Sequence, residues 1–137
     1  MRHIDTIIIH CTATPAGRDV TAAEVNRWHR AQGWECIGYH YLIRLDGSVE
    51  TGRPLDMTGA HCRGHNARSI GVAYAGGLDP QSLAPADTRT PAQRHALHSL
   101  IGSLLTRFPH AAVRGHSDFS PKACPCFDVS AEFPSKC

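Results

Sequence analysis

Apolar residues along this chain fall into runs of two kinds, separated by polar segments rich in proline and glycine. "IDTIIIHCTA" (residues 4–13) is β-branched and apolar, and the turn signal "TPAG" bounds it. That pattern predicts a buried central strand. "TAAEVNRWHRAQGW" (21–34) opens with Thr21 and Glu24 in capping-box spacing and closes near Gly33, which predicts a helix. Val25, Trp28 and Gln32 share one of its sides, with Trp28 as the anchor. "GYHYLIRLDGSVETGR" (38–53) alternates on both sides of an Asp-Gly pair and predicts a hairpin.

"SIGVAYAGG" (69–77) reads as a strand of small residues, and residues 78–90 as a polar loop. "TPAQRHALHSLIGSLLTRF" (90–108) carries the strongest helical signal, with Thr90 as cap, Pro91 at the first position and Gln93 completing a capping box. Leu97, Leu100, Ile101, Leu104, Leu105 and Phe108 repeat at helical spacing, and Pro109 stops the helix. "AAVRGH" (111–116) is a further short strand. Strands mixed with two helices predict an α/β fold, a single domain over residues 1–137 with a central mixed β-sheet flanked by a helix on each face.

Composition changes this picture little. The chain has 137 residues, 42% hydrophobic and 19% charged, enough for one core without staples. A net charge of +2 with no basic run gives no case for nucleic acid as a partner. No stretch approaches the roughly 20 apolar residues of a membrane span. The amino terminus lacks the apolar core of a secretory signal, so the expectation is cytoplasmic accumulation. In that reducing compartment Cys11, Cys36, Cys62, Cys124, Cys126 and Cys137 are expected as thiols.

Candidate chemistry gathers at predicted strand ends, where ligands of open α/β sheets bind. His10 ends the first strand; alternation puts it on a face with Ile8 and Thr12, opposite Ile9 and Cys11. His116 ends the last strand, eight residues before Cys124. Imidazole and thiolate suit zinc, and two histidines with one cysteine leave a fourth position for water. Local spacing leaves the choice between Cys124 and Cys126 open, because Pro125 makes the segment a turn. Tyr39 at the hairpin, Lys122 two residues before Cys124, and His61 in "GAHCRGHN" are further candidates. His29, His95 and His98 fall on helices, on faces read as solvated, and receive no role.

In order along residues 4–129, "IIIHCTAT", "VNRWHRAQGWECIGYHYLIRLDGSVETGR", "GAHCRGHNARSIGVAYAGG", "TPAQ" and "GHSDFSPKACPCFD" resemble the phage-lysozyme type of N-acetylmuramoyl-L-alanine amidases, kin of the peptidoglycan recognition proteins. The resemblance implies zinc-dependent hydrolysis of the amide between N-acetylmuramic acid and L-alanine in peptidoglycan, with one Zn2+ per chain. It implies His10, His116 and Cys124 as metal ligands, Tyr39 and Lys122 as catalytic residues, and His61 as a substrate-groove residue. Cys126 departs from the family, whose members commonly carry a small residue there.

The expected protein is a monomeric cell-wall hydrolase that reaches peptidoglycan after release or lysis. Three rivals accompany that reading: a peptidoglycan-binding module without activity, a cysteine hydrolase pairing Cys124 with His116, and a zinc-stabilised interaction domain that binds a host protein.

Overall fold

The computed structural model describes residues 2–134, so Cys137 lies outside the described residues. In chain order the elements are β1 (Thr6–Cys11), β2 (Thr14–Pro15), α1 (Ala22–Ala31), β3 (Tyr41–Ile43), β4 (Val49–Thr51), β5 (Ser69–Tyr74), β6 (Gly77–Leu78), α2 (Pro91–Arg107), β7 (Ala112–Gly115) and α3 (Val129–Glu132). Five strands form one sheet in the order β4-β3-β5-β1-β7, and β2 pairs with β6 separately. β3, β5, β1 and β7 run parallel, whereas β4 pairs antiparallel to β3, so the central sheet is mixed as expected.

β1 sits between β5 and β7 and is buried along nearly its whole length, in keeping with its unbroken β-branched run. Alternation along it divides the interior. Ile7, Ile9 and Cys11 face one core with Ile70, Val72 and Tyr74, closed by Leu97, Ile101 and Leu104 of α2. Val25 of α1 joins Leu42, Ala73 and Ala75 in the other core, with Trp28 packed against it. α1 and α2 open with the capping boxes expected at Thr21/Glu24 and Thr90/Gln93.

Three details differ from the sequence expectation. The first strand ends at Cys11 because Ala13 takes a left-handed backbone (φ 56°), after which β2 pairs with β6. α1 stops at Ala31, with Gly33 at φ +94°, so Gln32 caps the helix exposed to solvent and does not join its packed side. Tyr39 lies two residues ahead of β3 and does not begin it.

One polar anchor holds the carboxy-terminal segment in place. The Arg89 side chain is only 1% exposed. It donates to both Glu132 oxygens at 2.7 and 2.8 Å and to both Asp87 oxygens at 3.0 Å. Its guanidinium also lies 3.4 Å from the centre of the Phe127 ring. Bidentate pairing of this kind is the strongest geometry open to an arginine. Hydrogen bonds from Arg89, outweighing the cost of burial, hold the Glu132 carboxyl below its ordinary range. Burial pushes the Asp87 carboxyl up, and its bonds to Arg89 overcome that and hold it low.

Removing Arg89 leaves two partly buried carboxylates with only exposed partners, Arg94 at Asp87 and His98 at Glu132. Arg89→Ala is expected to cost about 3 kcal/mol at neutral pH, read by denaturant unfolding. Carboxyls depressed in the folded state stabilise it above their unfolded values, and that contribution fades as pH falls through the folded values. The gap between wild type and variant should therefore shrink below about pH 4. A gap that persists at pH 3 would assign the effect to packing on Phe127 instead of charge.

Candidate metal and catalytic site

The site forms at the carboxyl ends of β1 and β7, on the side of the sheet that carries α1. β5 contributes small residues there: Gly71 lies opposite Ile8 and Ala73 opposite His10 in the parallel register. The His61 ring occupies the room beside Gly71, and His10 next to it is almost completely buried. His116 follows β7 directly, in a short 3-10 turn spanning His116–Asp118. Cys124 comes eight residues later, and the backbone N–H of Ser117 donates to its carbonyl at 2.7 Å. Among the described residues, the ligand atoms of His10, His116 and Cys124 lie within 4.8 Å of one another, and no fourth histidine, cysteine or carboxylate joins the group.

The chemistry of this donor set fits a cation. Burial first, then the neighbouring His61, His116 and Lys122, hold His10 far below the usual imidazole range, so it presents a neutral nitrogen. Burial and Lys122 lower His116 likewise. The Cys124 thiol is lowered by hydrogen bonding from Cys11, against the opposing effect of burial. Part of that support is the backbone N–H of Cys11, which donates to Cys124 Sγ at 3.1 Å. Two neutral imidazoles and a thiol biased toward thiolate are what a borderline-soft divalent ion takes.

Cys126 sits apart from the group. Its Sγ donates to the Gly77 carbonyl at 3.4 Å and lies 4.0 Å from Cys11 Sγ, on the side of the sheet opposite His10. Burial, with Cys11 beside it, pushes its thiol up to about 12. Among the described residues Cys11, Cys36, Cys62, Cys124 and Cys126 are free thiols.

The Tyr39 ring centre is 5.2 Å from that of His10. Burial raises its phenol, which stays protonated at neutral pH. A cleft of about 640 Å³ opens beside the group, lined in part by Trp34, His61, Arg63, His116, Phe119 and Lys122. The structure thus brings together all six residues singled out from sequence.

His61 is more buried than a loop position suggests, at 9% exposure. Its Nδ1 meets His10 Nε2 at 2.8 Å and its Nε2 meets Ser69 Oγ at 3.2 Å. Burial, with His40 nearby, pushes it down to about 3.

His29 corrects the expectation of a solvated helix histidine. It is half-buried; its Nδ1 accepts the Gly38 N–H at 2.8 Å, and its ring lies 5.6 Å from that of Tyr39. α1 therefore braces the loop that presents Tyr39. Asn66, also without a role in the sequence reading, accepts the N–H groups of His61 and Cys62, each at 2.9 Å. An asparagine five residues after a loop histidine was the available signal.

Comparison with known proteins then decides the family. The model of the N-acetylmuramoyl-L-alanine amidase family matches residues 1–127. The chain belongs to this amidase family. It is 46% identical over 123 residues to the endolysin of Klebsiella phage KP32, covering 90% of this chain and 81% of that protein. Identity to the endolysin of Escherichia phage T7 is 43% over 125 residues, covering 91% and 82%. The solved N-acetylmuramoyl-L-alanine amidase LysC from Clostridium intestinale superposes with a TM-score of 0.81 at 28% identity, covering 98% of this chain and 88% of LysC. Drosophila PGRP-LB gives 0.79 at 26%, covering 98% and 82%. As an amidase of this family, the protein hydrolyses the bond joining N-acetylmuramic acid to L-alanine in peptidoglycan.

Two glycine positions test how tightly the amidase site is packed. A Cβ at Gly71 would stand 2.6 Å from the His61 ring, whereas one at Gly102 in α2 meets nothing within 4 Å. Gly71→Ala is expected to destabilise by about 1–3 kcal/mol. Gly102→Ala should stabilise by up to about 1 kcal/mol. Urea unfolding of both variants reads the contrast, and equal effects would mean the His61 pocket is slack.

Proposed function

We propose that the protein is a zinc amidase of the endolysin type, with one Zn2+ held by His10, His116 and Cys124 and with Tyr39 and Lys122 as its catalytic side chains. The observation that carries this reading is the convergence of those three donors within 4.8 Å, beside a cleft that Lys122 lines. Zinc bound through three protein ligands supplies an acidified water and a Lewis acid toward the scissile carbonyl.

The remaining work falls to the chain. Lys122, which lines the cleft, is the cation assigned to the negative charge that grows on the carbonyl oxygen as the amide carbon becomes tetrahedral, and a cation there lowers the barrier. Tyr39, protonated and half-buried beside His10, orients the attacking water through its hydroxyl. The N–H of Cys11 keeps the Cys124 sulfur turned toward the two imidazoles. Trp34 and Phe119 give the cleft apolar walls on which a sugar-peptide substrate can rest.

Every residue of this site comes from one chain, so a monomer suffices. Among the described residues no helix is long and apolar enough to cross a membrane. We read residues 1–137 as one amidase domain whose cell-wall substrate is met after release or lysis.

Purified protein incubated with peptidoglycan should expose L-alanine as the new amino terminus, lose activity with a zinc chelator and regain it with added zinc. Activity that survives chelation but not thiol alkylation would replace this reading with a cysteine hydrolase. Lys122→Ala is expected to lower kcat by roughly 10²–10³-fold while zinc content stays at one per chain. Tyr39→Phe should also lower kcat with its zinc retained, and loss of zinc in either variant would make that residue structural. Cys124→Ser should abolish zinc retention, measured by metal analysis after dialysis, whereas Cys126→Ser should keep both metal and activity.

A further inference from the structure

The contact between His10 and His61 joins two ring nitrogens, Nε2 of one and Nδ1 of the other, at 2.8 Å. A hydrogen bond between neutral imidazoles needs one N–H and one lone pair, and each neutral ring owns a single N–H. Two arrangements satisfy the contact. If His61 donates from Nδ1, the one hydrogen of His10 sits on Nδ1, and neither nitrogen of His10 is left for a cation. If His10 donates from Nε2, its Nδ1 lone pair is free. The single hydrogen of His61 then falls on Nε2, 3.2 Å from Ser69 Oγ, which accepts it. Only the second order leaves His10 able to bind a metal.

We infer that His61 is a positioning residue of the metal centre: it accepts the Nε2–H of His10, fixes that tautomer, and so presents His10 Nδ1 to the ion, with Ser69 fixing His61 in turn. The inference rests on the zinc reading above and assigns His61 a role other than substrate contact. Both of its ring nitrogens are engaged inward, so although it lines the cleft it has no polar ring atom left for a ligand.

The surrounding backbone is shaped for this ring. A Cβ at Gly59 would approach His61 Cδ2 to 2.7 Å, and one at Gly71 would reach its ring at 2.6 Å. Asn66 fixes the His61 backbone N–H. The two imidazoles meet nearly edge to face, at 89°. Partners of this kind orient metal-binding histidines, and their loss typically costs 10–100-fold in metal affinity.

The test compares zinc affinity, by chelator competition, in wild type, His61→Leu and His61→Asn. The Asn side-chain oxygen lies near the place of His61 Nδ1 and can accept the same hydrogen; Leu cannot. His61→Leu should weaken zinc binding roughly 10–100-fold, with His61→Asn recovering most of the loss. Wild-type affinity in His61→Leu, or equal loss in both variants, overturns the inference.

Long-range proton–nitrogen spectra of the zinc-loaded wild type need no variant. They should show His10 protonated at Nε2 and metal-bound through Nδ1, with His61 also protonated at Nε2. His10 protonated at Nδ1 with zinc bound would overturn this inference alone. Failure of the wild type to take up zinc would overturn the zinc reading with it.

Discussion

A hydrogen bond 3.1 Å long, from the backbone N–H of Cys11 to the sulfur of Cys124, ties the last part of the chain to its first strand across 113 residues. The site depends on this bond because the donors come from opposite ends of the sequence. His10 and Cys11 are neighbours on β1, so their side chains point to opposite sides of the sheet. His10 sends its imidazole to the α1 side, and Cys11 sends its thiol into the α2 core. The N–H of Cys11 lies between the two and receives the sulfur that joins His10. The strand thus supplies one donor by side chain and orients another by backbone.

That arrangement requires the segment around Cys124 to be held from several directions. The Tyr74 hydroxyl donates to the Pro125 carbonyl at 2.6 Å from beneath, and the N–H of Ser117 holds the Cys124 carbonyl. Arg89 locks Phe127 and Glu132 beyond it. These anchors come from β5, from the turn after β7 and from the long loop before α2. A loop with few regular elements is fixed as firmly as a strand because each polar contact removes a separate freedom. Firm placement matters, since a metal centre displaced by even about 1 Å loses much of its rate.

The sheet, both helices and their caps were legible in the sequence because they follow from local pattern: β-branched runs, helical spacing, and Thr-x-x-Glu or Thr-x-x-Gln signals. Of the three converging side chains, His10 and His116 were legible as histidines at strand ends, and Cys124 only through the ordered resemblance, since spacing alone did not separate it from Cys126. Partnerships that span the fold were not legible. Nothing near Arg89 announces Glu132, 43 residues away. Nothing near His29 announces that its ring braces Gly38, because a helix histidine beside tryptophan and arginine reads as surface. The room for His61 was written as glycines at 59 and 71, but only the folded loop beside β5 brings both to one ring.

Cys126 shows how geometry resolves what spacing leaves open. Two cysteines separated by one residue would share a side in an extended segment, and both would then reach for the same ion. Here Cys126 adopts a left-handed backbone, φ 72°, directly after Pro125. The reversal carries its thiol to the far side of β1, toward Gly77 and Cys11 and away from the imidazoles. Burial there favours the protonated thiol, whereas Cys124 is biased toward the thiolate by the N–H and thiol of Cys11. The same residue, Cys11, therefore biases one neighbouring sulfur toward the thiolate and holds the other as a protonated thiol packed against the core. A second thiol can be tolerated beside such a group because backbone direction, and not sequence distance, decides which sulfur reaches the two imidazoles.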